Sequence, residues 1–215
     1  MAYFPFFVEL DQQEGLIVGG STVAQRKIEK LLPYGPRLTV CAPDISPEIR
    51  AIPGLSLLER PFTPELLEGD KAFVIAATDD PGLNHRISGL CRERRIPVNV
   101  VDDRDYCSFL FPALVKRGPL SVGISTGGAS PTGAIYLKKQ IDAMIPERFG
   151  EILTYLDSTR DLAKAALPDE AARSRFFAAL FAACMEKGGP LGRQETEDTL
   201  KLYQRGEDGH GSHGR

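Results

Sequence analysis

From Tyr3 to Asp102, short apolar runs alternate with stretches whose apolar residues recur every three or four positions, which predicts strands separated by helices. Residues 3–10 read as a first strand, joined by the polar turn Asp11-Gln12-Gln13-Glu14-Gly15 to a second at 16–18. So short a connection predicts an antiparallel neighbour. A helix then begins near Thr22, packs Ile28, Leu31 and Leu32, keeps Arg26, Lys27 and Lys30 elsewhere, and stops at Pro33-Tyr34-Gly35-Pro36. Further strands are predicted at 38–42, 55–58, 71–78 and 97–102. A helical turn at 64–67 and a helix carrying Leu83, Ile87 and Leu90, capped by Asp79 or Asp80, fall between them. Strands and helices in this alternation form βαβ units, so the predicted class is α/β with a parallel sheet and right-handed crossovers.

Beyond Asp102 the pattern changes. Residues 109–115 and 120–125 are apolar runs joined by Lys116-Arg117-Gly118-Pro119, a hairpin. After Thr126-Gly127-Gly128, Ser130 is placed as a cap and Pro131 at the first position of a helix through Ile135, Ile141 and Met144. A hairpin and one helix are too thin to stand alone, so they are predicted to pack on a second copy of the chain. From Glu147 onward, breaks at Leu167-Pro168 and Gly188-Gly189-Pro190 separate three predicted helices. The Gly- and His-rich stretch 206–215 is predicted to be disordered, with His210 and His213 solvated rather than metal-bound.

Composition narrows the function classes. The 215 residues carry 26 Lys+Arg against 29 Asp+Glu, a net charge of −3, so the basic field of a nucleic-acid binder is missing. The opening residues lack the basic start of a secretory signal, and no apolar run reaches membrane-spanning length, which makes a cytoplasmic protein the expectation. Cys41, Cys91, Cys107 and Cys184 have neither zinc-site nor disulfide-framework spacing.

The candidate chemistry gathers at strand ends. Gly19-Gly20-Ser21-Thr22-Val23-Ala24 follows an apolar strand and opens a helix, a partial match to the dinucleotide fingerprint G-x-G-x-x-G/A, with Ser21 where the second glycine belongs. A helix start offers free N–H groups to phosphate. Asp44, just after the next strand, is placed to contact a ribose; a turn in which it caps the following segment is the equal alternative. Gly19, Pro43, Thr78 and Asp102 all lie at carboxyl ends of predicted parallel strands, where such sheets bind ligands. The Gly127-Gly128 turn is a second anion-friendly corner.

These stretches, Leu16 to Lys27, Ala76 to Asp80, Asn99 to Asp102 with Cys107 to Phe109, and Ser125 to Pro131, are similar to the siroheme synthase family, in its precorrin-2 dehydrogenase and sirohydrochlorin ferrochelatase module. The resemblance implies a Rossmann-like NAD-binding domain at 1–112, a dimerisation region at 113–146, a helical domain at 147–205, and no methyltransferase domain. It implies that NAD+ takes a hydride from precorrin-2 to give sirohydrochlorin, with Fe2+ insertion as a further activity of bifunctional members, in a homodimer; the charge balance and the short apolar runs leave neither nucleic acid nor membrane as an expected partner. Asp102 matches the catalytic aspartate; dehydrogenation releases a proton and metal insertion strips protons from pyrrole nitrogens, so both use a base. Gly19, Gly20, Ser21, Thr22, Val23, Pro43, Asp44 and Thr78 match dinucleotide positions. Arg104, Lys116, Arg117, Ser125, Thr126, Gly127 and Gly128 are candidate anchors for the substrate's carboxylates. The rival expectation is an NAD(H)-sensing domain without catalysis.

Overall fold

The computed structural model describes residues 3–204, so the stretch 206–215 with His210 and His213 lies outside the described residues. The chain forms two compact units that divide between Phe111 and Pro112.

The first unit is built on five parallel strands, β1 (Glu14–Val18), β2 (Arg37–Cys41), β3 (Ser56–Leu58), β4 (Lys71–Ala76) and β5 (Val98–Val100), in the order β3-β2-β1-β4-β5. Its helices are α1 (Thr22–Leu31), the single turn α2 (Pro47–Arg50) and α3 (Pro81–Glu93). The strands read as unbroken apolar runs because both faces of the sheet are covered. Ile17, Phe73 and Ile75 pack with Ala24, Ile28 and Leu31 of α1 on one face. Leu16, Val18, Val74 and Ala76 pack with Ile87 and Cys91 of α3 on the other. The short β3 ends one edge, while at the other Ser108 runs along β5, its N–H donating to the Val98 carbonyl at 2.8 Å and its hydroxyl accepting from the Val98 N–H at 2.8 Å.

Residues 3–10 form no strand, contrary to their pattern, and Phe4, Phe6 and Phe7 stay 76–81% exposed. The reason is topological: β1 is paired in parallel with β2 on one side and β4 on the other, which leaves no edge for an antiparallel neighbour.

In the second unit, β6 (Ala113–Arg117) and β7 (Leu120–Ile124) form the antiparallel hairpin, and α4 (Pro131–Met144) packs mainly against β6. The rest of the described residues form four helices, α5 (Phe149–Ser158), α6 (Arg160–Ala166), α7 (Glu170–Lys187) and α8 (Arg193–Gln204), rather than three. The additional break falls at Thr159, where the hydroxyl donates to the Leu156 carbonyl at 2.8 Å and the chain turns to bury Ala163 beside Phe176 and Leu180.

Candidate active site

Strand register decides the site. Leu58, Cys41, Val18, Ala76 and Val100 are mutual partners across the five strands, so every strand ends in the same row. Beyond that row, Gly19, Pro43, Thr78 and Asp102 come to one edge of one sheet. The order reverses between β1 and β4, and a crevice outside the strand ends at such a reversal is where this topology binds dinucleotides.

Gly19 and Gly20 are held by backbone on both sides. Gly19 has φ +134°, and a Cβ there would fall on the Ala77 carbonyl, 2.6 Å from its carbon. A Cβ on Gly20 would meet the Asp44 carbonyl oxygen and lie 2.9 Å from the Ile45 Cα. Hydrogen bonds from Gly19 N–H to the Cys41 carbonyl (2.9 Å) and from Ser46 N–H to the Gly20 carbonyl (2.9 Å) stitch this turn to the loop after β2. Two glycines are therefore required by close packing of three strand ends.

The turn delivers the start of α1. Ser21 occupies the cap position in extended conformation, its side chain makes no capping bond, and no acidic residue lies in the first turn. The N–H groups of Thr22, Val23 and Ala24 have no intrahelical acceptor, so they and the helix dipole present positive potential to an anion. These residues fit the pyrophosphate of a dinucleotide. Pro43 and Asp44 are exposed beside the turn. Asp44 does not cap the next helix, since that role belongs to Ser46, which accepts from the Ile49 N–H at 3.4 Å. That outcome leaves the Asp44 carboxylate available to a ribose.

Thr78 is less available than its position suggests. Its hydroxyl donates to Asn84 Oδ1 at 2.7 Å and accepts from the Asp80 N–H at 3.3 Å, and Asn84 Nδ2 returns a bond to the Thr78 carbonyl at 2.9 Å. Buried Asn84 thus fixes the chain leaving β4. Asp80 caps α3 by accepting from the Gly82 and Leu83 N–H groups, so that acid is structural.

Asp102 stands apart. It is exposed, and its backbone is left-handed at φ +59°, a conformation uncommon outside glycine that concentrates at functional sites. It does not cap the following 3-10 turn (Arg104–Tyr106), whose cap position is Asp103. Lys27 of α1 comes near it, since a helical side chain leans toward the helix start and thus toward the strand ends. The Lys27 ammonium sits 4.2 Å over the Phe111 ring. Burial, with Lys30 nearby, pushes its proton affinity below the ordinary lysine value, while Cys107 and Asp102 pull it back up. Lys27 appears in the sequence only as a polar-face residue; Phe111, which brings it inward, is far away along the chain.

In the second unit, Ser125, Thr126, Gly127 and Gly128 form a tight corner before α4. Gly127 and Gly128 take φ +61° and +84°. Ser125 Oγ accepts from the Gly127 N–H at 3.1 Å, and Thr126 Oγ1 donates to the Ser130 carbonyl at 3.0 Å. The Gly127 amide is therefore directed at Ser125, whereas Gly128 is exposed. Arg117 is ion-paired to Asp142 of α4 at 2.6 Å and ties the hairpin to the helix. Arg104 lies on the exposed turn after Asp102, and Lys116 is half-buried in β6. Among the described residues no group of three or more His, Cys, Asp or Glu could hold a metal ion, and no helix is long and apolar enough to cross a membrane.

Residues 6–113 match the family described as "Putative NAD(P)-binding", and residues 117–144 match "Sirohaem biosynthesis protein central". The siroheme synthase of Thioalkalivibrio sulfidiphilus is 39% identical over 180 residues, 82% of this chain and 37% of the relative. The chain belongs to the siroheme synthase family. The siroheme synthase of a Psychrobacter species is 37% identical over 205 residues, which span 94% of this chain and 42% of the relative. The chain thus spans about two fifths of the length of these siroheme synthases. A solved structure, "SirC, precorrin-2 dehydrogenase", superposes with a TM-score of 0.66 over 94% of this chain and 100% of its own, at 23% identity, a likeness of fold.

Proposed function

We propose that this family member oxidises precorrin-2 to sirohydrochlorin with NAD+. The observation that carries the reading is the single row of strand ends, which sets a glycine-turned, uncapped helix start and a left-handed, exposed aspartate at one edge of a dinucleotide-binding sheet. NAD+, when bound, supplies the hydride acceptor. The Thr22 and Val23 amides hold its pyrophosphate, and Asp44 accepts from a ribose hydroxyl. Asp102 takes the proton that leaves the ring as the hydride departs. Arg104, Lys116 and the Ser125–Gly128 corner are proposed contacts for substrate carboxylates; Arg117 joins them only by leaving Asp142.

Three finer assignments rest on the same reading. Insertion of Fe2+ into sirohydrochlorin would use the same carboxylate, because it also needs a base beside the macrocycle. A homodimer built on the 113–146 region would cover Ile135, Tyr136 and Met144, which are 52–80% exposed on α4. A cytoplasmic setting suits four buried, unpaired cysteines.

Anaerobic incubation with precorrin-2 and NAD+, followed by NADH and sirohydrochlorin absorbance, tests the proposal. NADH is expected to form in step with sirohydrochlorin, and Asp102→Asn should slow it about 100-fold or more, in line with the loss of a general base. NAD+ binding with no NADH formed would favour a sensing domain instead. An Asp102→Asn protein working at the wild-type rate would remove the role given to Asp102.

A further inference from the structure

The segment that carries Asp102 is held from one side by a single face of α3. Its two ends are tied to the sheet: Val101 N–H donates to the Ala76 carbonyl at 3.0 Å, and Ser108 N–H donates to the Val98 carbonyl at 2.8 Å. Between those ties the chain leaves the sheet; within it Cys107 Sγ lies 3.2 Å from the Val100 carbonyl and 3.3 Å from the Asp103 carbonyl, and side chains at positions 85, 88 and 92 of α3, which share one helical face, attach it to the helix. Ser88 Oγ donates to the Tyr106 carbonyl at 2.6 Å, and Arg92 donates to the Asp105 carbonyl at 2.9 Å. His85 holds side chains instead. Its Nε2 lies 2.7 Å from Asp103 Oδ2, and its ring stacks on Tyr106 with centroids 3.6 Å apart and planes within 5°.

The His85 contacts differ from the other two in what they control. Ser88 is fully buried and serves the packing of α3. The His85 and Asp103 side chains are 35% and 36% exposed, so neither is needed to fill the core. Asp103 adjoins Asp102, and its backbone must follow directly from the left-handed turn at φ +59°. The one local backbone bond across that turn, Asp103 N–H to the Val100 carbonyl, is long at 3.4 Å. An aspartate in the left-handed region, weakly closed by its own backbone, keeps that conformation only if the residues after it are held in place.

We propose that His85 is a positioning residue for the dehydrogenation: by holding Asp103 and stacking on Tyr106, it keeps Asp102 in the left-handed conformation that presents its carboxylate. The proposal rests on the role given to Asp102 above. An ionised Asp103 only accepts, so His85 Nε2–H is the donor, and a glutamine amide can supply the same donor without the stack.

The test uses the full chain with NAD+ and precorrin-2. His85→Ala should lower kcat about 10- to 100-fold, the penalty for misplacing a reacting group, while the Kd for NAD+ stays at the wild-type value. His85→Gln should recover part of the rate. Tyr106→Leu, which removes the stack from the loop side, should lower kcat in the same way, and it carries the test if His85→Ala melts early. In the Asp102→Asn background, single-turnover rates should fall no further on adding His85→Ala, because a residue acting through Asp102 has nothing left to position. Wild-type kcat in both His85→Ala and Tyr106→Leu overturns the proposal, as does an equal fractional loss with and without Asp102. A wild-type rate for Asp102→Asn alone would instead strike the underlying assignment, and that result is read separately.

Discussion

Replacing Gly19 by alanine tests the geometry on which the site depends. The position has φ +134°, where an L side chain is strained, and the new Cβ would press on the Ala77 carbonyl, 2.6 Å from its carbon, against an ordinary contact of 3.4–4 Å. The ends of β1 and β4 would have to separate by close to an ångström. Hydrogen bonds resist that movement on both sides, from Gly19 N–H to the Cys41 carbonyl (2.9 Å) and from Ala77 N–H to the Val18 carbonyl (2.8 Å). Backbone strain and overpacking together cost about 2–6 kcal/mol. A loss in the middle of that range lowers the melting temperature by roughly 10 °C for a chain of this size. The same separation tilts the start of α1, so NAD+ affinity should fall by at least about tenfold, equivalent to about 1.4 kcal/mol. Thermal melting with and without NAD+, and calorimetric titration, read both effects. Gly127→Ala is the control, because Gly127 also has positive φ (+61°) but no atom within 4 Å of an added Cβ. It should cost only about 1–2 kcal/mol. A Gly19→Ala protein that melts with the wild type and binds NAD+ equally well would refute the close-packed turn.

Other expectations follow from the same contacts. Ser21→Gly removes a side chain that makes no capping bond, so stability should change by only a few tenths of a kcal/mol and NAD+ should bind as well or more tightly; a large loss on titration would make the hydroxyl a ligand contact. Asn84→Ala removes the acceptor of the Thr78 N–H and one of the partners of its hydroxyl and should cost about 1–3 kcal/mol in urea unfolding, whereas an unchanged midpoint would contradict that clamp. Gly89 lies exposed inside α3 with open space around an added Cβ, so Gly89→Ala should raise stability by about 0.5–1 kcal/mol; a lower melting temperature would count against this. Burial pushes the Cys91 thiol up to about 11 from 9.0, so the native state keeps a proton that the unfolded chain releases. Its stabilisation is complete below pH 9 and is lost as pH rises to about 11, a change of roughly 2–3 kcal/mol. Urea midpoints of wild type and Cys91→Ala across that range should converge, and parallel curves would exclude it.

The strand and helix periodicities of the first unit were legible because each strand is buried on both faces and each helix on one, so local pattern and environment agree at Leu16–Val18, Ile28 and Val74. The glycine turn was legible for a steric reason, since no other residue fits where Ala77 and Asp44 carbonyls close in. Residues 3–10 carry a strand pattern without forming a strand because an apolar run specifies burial but not a partner, and both sides of β1 are taken. The break at Thr159 has no local signal, because the sequence there has neither glycine nor proline; packing of Ala163 against its neighbours forces the turn.

At the candidate site the division is sharper. Sequence alone determined which residue types stand at the strand ends, including Gly19, Thr78 and Asp102, because those follow from where each apolar run stops. Register between strands, which no local pattern encodes, decided that the ends form one row. Tertiary structure alone also decided what each group is free to do. It occupied Thr78 with Asn84, paired Arg117 with Asp142, brought Lys27 over Phe111, and set His85 against Asp103. Each of those pairs depends on chain crossings that bring distant or oppositely facing side chains together, and hydrogen bonds and ring contacts act only over a few ångströms.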